Sequence, residues 1–149
     1  MSESGALPIG VFDSGVGGLT VVRALMERLP FEDIIYFGDT AHLPYGDKSA
    51  STIQYYCQHI VQFLLEQNCK CILIACNSAS AAAFEFLAAQ IRPHALFMSV
   101  IEPIIAHLAT HYHKQTIGLI GTKQTVDSQI FLKQLTALPN QLTLKSLAT

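Results

Sequence analysis

Short apolar runs alternate along this chain with longer stretches whose apolar residues recur every three or four positions. PIGVFDS (8–14) predicts a strand that enters a turn. Leu19, Val22, Leu25, Met26 and Leu29 then follow at helical spacing. DIIYFGD (33–39) predicts a second strand, TAHLPYGDKS (40–49) a polar loop. Ser49 is placed to cap a helix with the stripe Ile53, Cys57, Ile60 and Leu64. The unbroken apolar run of CKCILIA (69–75) predicts a third strand, covered on both sheet faces. A helix over 78–90 stops near Pro93. ALFMSVI (95–101) predicts the fourth strand, and a helix opened by Pro103 runs to His111. QTIGLIG (115–121) predicts the fifth strand, 124–137 a helix, and QLTLKSL (141–147) a sixth strand with no helix after it.

Strand-helix alternation of this kind predicts an α/β fold, a parallel sheet with helices on both faces. The weakest join lies at Ile101-Glu102-Pro103, which divides the chain into a first α/β domain over 1–101 and the beginning of a second over 102–149. Composition supports a folded core: of 149 residues, 50% are hydrophobic and 13% charged. A net charge of -2 gives no electrostatic reason to expect nucleic acid. No apolar run approaches the roughly 20 residues that span a bilayer. MSESGALP (1–8) lacks the basic start and apolar stretch of a signal peptide, so the expectation is a cytoplasmic protein with no membrane partner. A homo-oligomer stays open.

In open α/β sheets, ligands bind at the carboxyl ends of the strands. Those ends deliver Asp13-Ser14-Gly15-Val16-Gly17-Gly18, Gly38-Asp39, Cys76-Asn77-Ser78, Glu102-Pro103 and Gly121-Thr122. DSGVGG is neither the dinucleotide fingerprint nor a P-loop. Three glycines before a helix still make an anion-friendly turn. Asp13 reads two ways, as the cap of a tight turn or as a partner for an ammonium group. Cys76 stands just before a helix start, where free amides and the helix dipole stabilise a thiolate and predict a lowered pKa. The alternative is a small core residue beside an Asn-Ser cap.

The remaining cysteines read as structural. Cys71 falls within the buried strand, Cys57 on an apolar helix stripe, and Cys69 at the wrong end of its strand. The spacing C-x-C-x4-C is not a zinc pattern, so no metal is expected. His107, His111 and His113 read as a solvated helix end, and His42 as loop structure or a pocket wall.

Five ordered segments carry a family resemblance: IGVFDSGVGGLTV (9–21), YFGDTAHLPYG (36–46), ACNSAS (75–80), VIEP (100–103) and IGLIGTKQTV (117–126). Together they resemble the glutamate racemases, isomerases that make D-glutamate for bacterial peptidoglycan, and so serve cell-wall biogenesis and cell shape, without a cofactor. The resemblance implies two α/β domains facing across a cleft, each with a catalytic cysteine, and a two-base mechanism. It implies that Cys76 is the first of these and that Asp13 acts beside it. Asp13, Ser14, Tyr45, Gly46, Asn77, Ser78 and Thr122 become the residues expected to bind glutamate. Ser78 departs from the threonine usual in the family and keeps its hydroxyl. The family's second cysteine, in a Cys-Thr-His segment, lies beyond residue 149. The expectation is therefore an amino-terminal half that is inactive alone. The alternatives are another amino-acid racemase of the same superfamily, or an inactive binding fragment.

Overall fold

The computed structural model describes residues 7–149, so most of the stretch 1–8, read above as lacking a signal peptide, lies outside the described residues. Its first half is a four-stranded parallel sheet in the order β2-β1-β3-β4. The strands are β1 (Ile9–Asp13), β2 (Ile34–Gly38), β3 (Cys71–Ile74) and β4 (Leu96–Ser99). They are linked by α1 (Leu19–Arg28), α2 (Ala50–Glu66) and α3 (Asn77–Ile91). Phe12, Ile72, Ile74 and Phe97 join Ile53, Cys57, Ile60 and Leu64 of α2, and Ala83, Phe84 and Leu87 of α3, in one buried cluster. The alternation of the strands thus meets the helical stripe foreseen on α2. Ser49 caps that helix through its hydroxyl, which accepts from Thr52 N at 3.2 Å.

Coverage of the two sheet faces is unequal. No residue of α1 is buried, and Leu96 and Met98 remain 61% and 42% exposed. The unbroken apolar run of β3 therefore does not mean full burial: Cys71 is half-buried rather than a core residue.

The second half holds two parallel strands, β5 (Thr116–Gly121) and β6 (Thr143–Ala148), with α4 (Ile101–His111), α5 (Lys123–Asp127) and α6 (Ile130–Thr136). The helix α4 begins two residues before Pro103. Ser99 and Glu102 close its start, Ser99 N and Oγ donating to Glu102 Oε2 at 3.1 and 2.6 Å. Pro103 is tolerated there because first-turn amides have no intrahelical acceptor. The single helix expected over 124–137 is two helices. Gln129 takes a left-handed φ of 54°, and Ser128 Oγ accepts from Ile130 N at the break. Neither residue is a strong breaker in sequence, which is why the interruption was not foreseen.

Among the described residues, no helix is long and apolar enough to cross a membrane. All six strands run in parallel pairs, so the carboxyl ends of β1, β2 and β3 share one edge, at the point where the chain order reverses around β1.

Candidate active site

A cleft of about 450 Å³ opens at that edge. Asp13, Ser14, Tyr45, Gly46, Cys76, Asn77, Ser78 and Thr122 all line it, the eight residues that the family resemblance nominates, whereas Gly38-Asp39 and Glu102-Pro103, also expected at the strand ends, do not. Gly17, Thr20, Val21, Pro44, Ala75 and Val100 complete the wall and were not nominated. Thr20 and Val21 were marked by their place just after the glycine turn, at the end of the resembling segment 9–21. An apolar cleft of about 370 Å³ beside α4 and β5 has no titratable side chain in its wall, so it offers no acid or base.

Cys76 lies where β3 gives way to α3 and is itself the cap of that helix. Its Sγ accepts from Ala79 N at 3.4 Å, and Ser14 Oγ stands at the same distance from the sulfur. The residue is only 7% exposed. Burial pushes its thiol pKa up, and the nearby Asp13 charge pushes the same way. The hydrogen bonds from Ser14 and the Ala79 amide offset this in part. The lowered pKa expected from the helix start is thus corrected. The dipole and amides are present as foreseen, but desolvation of a thiolate outweighs them.

Asp13 resolves its two readings partly in favour of the cap. It is 7% exposed, and its Oδ2 accepts from Gly18 N at 2.8 Å, closing the glycine turn ahead of α1. It also faces the cleft, so capping and lining go together. The turn is held from outside by β2. Tyr36 donates to Gly15 O at 2.9 Å, and a Cβ on Gly38 would fall 2.3 Å from that same oxygen. Only glycine permits so close an approach of two backbones.

Tyr45 and Gly46 are buried, and Tyr45 donates to Asp39 Oδ2 at 2.6 Å. Burial, then this hydrogen bond, push the Tyr45 phenol well above its ordinary range. Gly46 O accepts from Gln124 N at 2.9 Å, and a Cβ on Gly46 would lie 2.8 Å from Thr122. Ser78 is buried, with its Oγ 2.8 Å from Thr122 Oγ1. Thr122 in turn caps α5, accepting from Thr125 N. The hydroxyls of Ser78 and Thr122 therefore join the two halves of the chain at the cleft. Asn77 is exposed at its margin.

The other cysteines stay out. Cys57 is wholly buried in α2, and burial pushes its thiol far up. Cys69 lines a different hollow with Lys70 and His94. His42 is both loop and pocket wall, though of a different hollow, beside Phe37, Asp39 and Tyr56: its Nδ1 lies 2.8 Å from Asp39 Oδ1, and its ring stacks on Tyr56 at 4.1 Å. His107 and His111 stack on each other at 4.2 Å on α4, away from the cleft.

No protein-family model matches the chain. Glutamate racemase from Syntrophus aciditrophicus (strain SB) is 48% identical over 126 residues, 85% of this chain and 46% of the relative. The chain is homologous to the glutamate racemases. Solved structures agree with this homology. Glutamate racemase isoform RacE1 from Bacillus anthracis superposes with a TM-score of 0.90 at 36% identity, over 97% of this chain and 53% of that one. The racemase from Francisella tularensis, in complex with D-glutamate, gives 0.86 at 39% identity, over 94% and 52%. The chain thus spans about half the length of the glutamate racemases it matches.

Proposed function

We propose that this chain supplies one side of a glutamate racemase active site, with Cys76 moving the α-proton on one face of the substrate. The observation that carries the reading is the convergence of all eight nominated residues on one cleft beside the Cys76 sulfur. Homology to racemases, one of them solved with D-glutamate, supplies the substrate class.

The chemistry follows from charge. Glutamate brings one ammonium and two carboxylates. Among the described residues, Asp13 is the one carboxylate in the cleft wall, and it suits the ammonium. The turn after Ser14, the start of α3 and Asn77 offer donors to the carboxylates. An α-proton is weakly acidic, so its removal needs a base held close and donors for the charge that builds on the substrate. Raised by burial, Cys76 rests as a neutral thiol at neutral pH and stands ready to give a proton. In the opposite direction its thiolate takes one, so deprotonation contributes to the barrier. None of Cys57, Cys69 and Cys71 lines the cleft, so these 149 residues hold no second thiol for the other face. The intact reaction needs that second group. Its product, D-glutamate, serves peptidoglycan synthesis in the cytoplasm.

The test is glutamate in D2O followed by proton NMR. The chain alone should replace the α-proton by deuterium with configuration retained, and Cys76→Ser should stop this. Inversion at the rate of a complete racemase would contradict the one-sided reading. Failure to exchange at all would contradict the assignment of Cys76. The same assay with aspartate separates the glutamate reading from that of a related amino-acid racemase.

A further inference from the structure

One buried carboxylate near the cleft has no part in the chemistry above. Asp39 follows β2, is 6% exposed and does not line the Cys76 cleft. It gathers three elements instead. Its backbone N donates to Asp13 O at 2.9 Å, extending the pairing of β1 and β2 by one residue. Its Oδ2 accepts from the Tyr45 hydroxyl at 2.6 Å, and His42 Nδ1 lies 2.8 Å from Oδ1 and 3.0 Å from Oδ2. The His42 ring is fixed in turn by stacking on Tyr56 of α2.

We infer that Asp39 is a positioning residue, one that sets the Tyr45-Gly46 peptide against Cys76 by holding the Tyr45 hydroxyl. The inference rests on the proposed role of Tyr45-Gly46 as substrate contacts. The segment Pro44-Tyr45-Gly46 is a loop with no strand or helix to fix it. Beyond the packing of the Tyr45 ring in the buried cluster, its hydrogen bonds are few. Tyr45 O accepts from Lys48 N at 3.1 Å, Gly46 O accepts from Gln124 N at 2.9 Å, and the Tyr45 side chain is tied to Asp39. Of these, only the Asp39 tie reaches into the four-stranded sheet that also carries Asp13 and, through β3, Cys76. Cutting it leaves only the packing of the Tyr45 ring in the buried cluster to tie that side of the cleft to the sheet.

The pair has a signature that a merely packed residue lacks. Removing the carboxylate strands a buried phenol without an acceptor, a loss of about tenfold or more in the equilibrium it holds. Removing the phenol hydroxyl as well takes away the stranded group. Asp39→Ala, Tyr45→Phe, the double variant and Asp39→Asn are therefore compared with the unaltered chain by two readouts. The first is amide hydrogen exchange at Lys48 and Gln124, with Leu73 of β3 as reference. The second is the glutamate concentration that half-protects Cys76 from iodoacetamide.

In Asp39→Ala, exchange at Lys48 and Gln124 should quicken about tenfold while Leu73 is unchanged, and half-protection should need about tenfold more glutamate. Alkylation without glutamate should stay within about twofold. Adding Tyr45→Phe should worsen neither readout and should recover part of the loss. Asp39→Asn, which keeps one acceptor, should fall between; it also carries the test if the alanine variant does not fold. Unchanged exchange at Lys48 and Gln124, or losses that simply add in the double variant, would overturn the inference. Quickened exchange in a chain whose Cys76 glutamate never protects would uphold Asp39 as the loop's anchor and remove glutamate as the occupant.

Discussion

Around the four-stranded sheet, buried side chains run without a gap from Phe12, Ile72, Ile74 and Phe97 into the stripes of α2 and α3. Around β5 and β6, the buried apolar set shrinks to Ile101, Ile105, Phe131 and Leu135, and Ile120 and Leu147 stand 73% and 61% exposed. The two halves use the same parallel strand-helix grammar, yet only the first packs densely enough to fix loops at its edge. Asp13, Ser14, Tyr45, Cys76 and Asn77 all spring from that half, each within a few residues of a buried strand or tie. The second half gives the cleft Thr122, and with Gln124 it closes against Gly46 and Ser78. The residues proposed to react thus sit on the densely packed half, and the sparse half meets it through the Ser78–Thr122 and Gly46–Gln124 hydrogen bonds.

The largest test of that division is chemical. Cys76→Ser should cut α-proton exchange by about 10³-fold, within the range of a lost acid-base group. Leu147→Ala should leave it unchanged in the same NMR assay. An equal loss from both would erase the distinction. Next in size is packing. Ile72→Ala, at a position with no exposure, should cost about 2–5 kcal/mol in urea unfolding. Leu147→Ala should stay within about 0.5 kcal/mol.

Where the halves meet, Gly46→Ala presses a methyl group into Thr122. It should cost about 1–3 kcal/mol and quicken exchange of the Gln124 amide before that of β3. A smaller and more gradual effect comes with pH. All four cysteines lie in the first half, and burial raises each thiol above its unfolded value of about 8.5. As pH climbs past that value, the unfolded chain releases these protons first. The stabilisation is therefore complete below about pH 8.5 and is lost as pH rises toward the folded values. Urea midpoints should fall between pH 8 and pH 10, and protection in β3 should decline ahead of protection in β5.

Much of this was legible in the residues themselves. Apolar runs marked the six described strands, helical spacing marked the buried stripe of α2, and the ends of β1 and β3 pointed to the cleft, whereas Tyr45 and Gly46 were marked only by the family resemblance and Glu102 stays out of it. What sequence hid was depth and reach. The start of α3 beside Cys76 is visible in the string, but the burial that overrides it is not, so the thiol shift had the opposite sign. Cys71 looked buried because its neighbours are apolar, whereas coverage depends on a helix, α1, that leaves the face open. The bond from Tyr45 to Asp39 depends on how a loop folds back on its strand, which no spacing encodes.

The most direct measurement is site-mapped alkylation of the four cysteines by mass spectrometry, with and without glutamate. Cys76 should be shielded by glutamate, half-buried Cys71 should label alike in both conditions, and Cys57 should stay inert in both. Labelling of Cys76 that glutamate leaves untouched, or protection shared equally by Cys71, would contradict a substrate site built around Cys76.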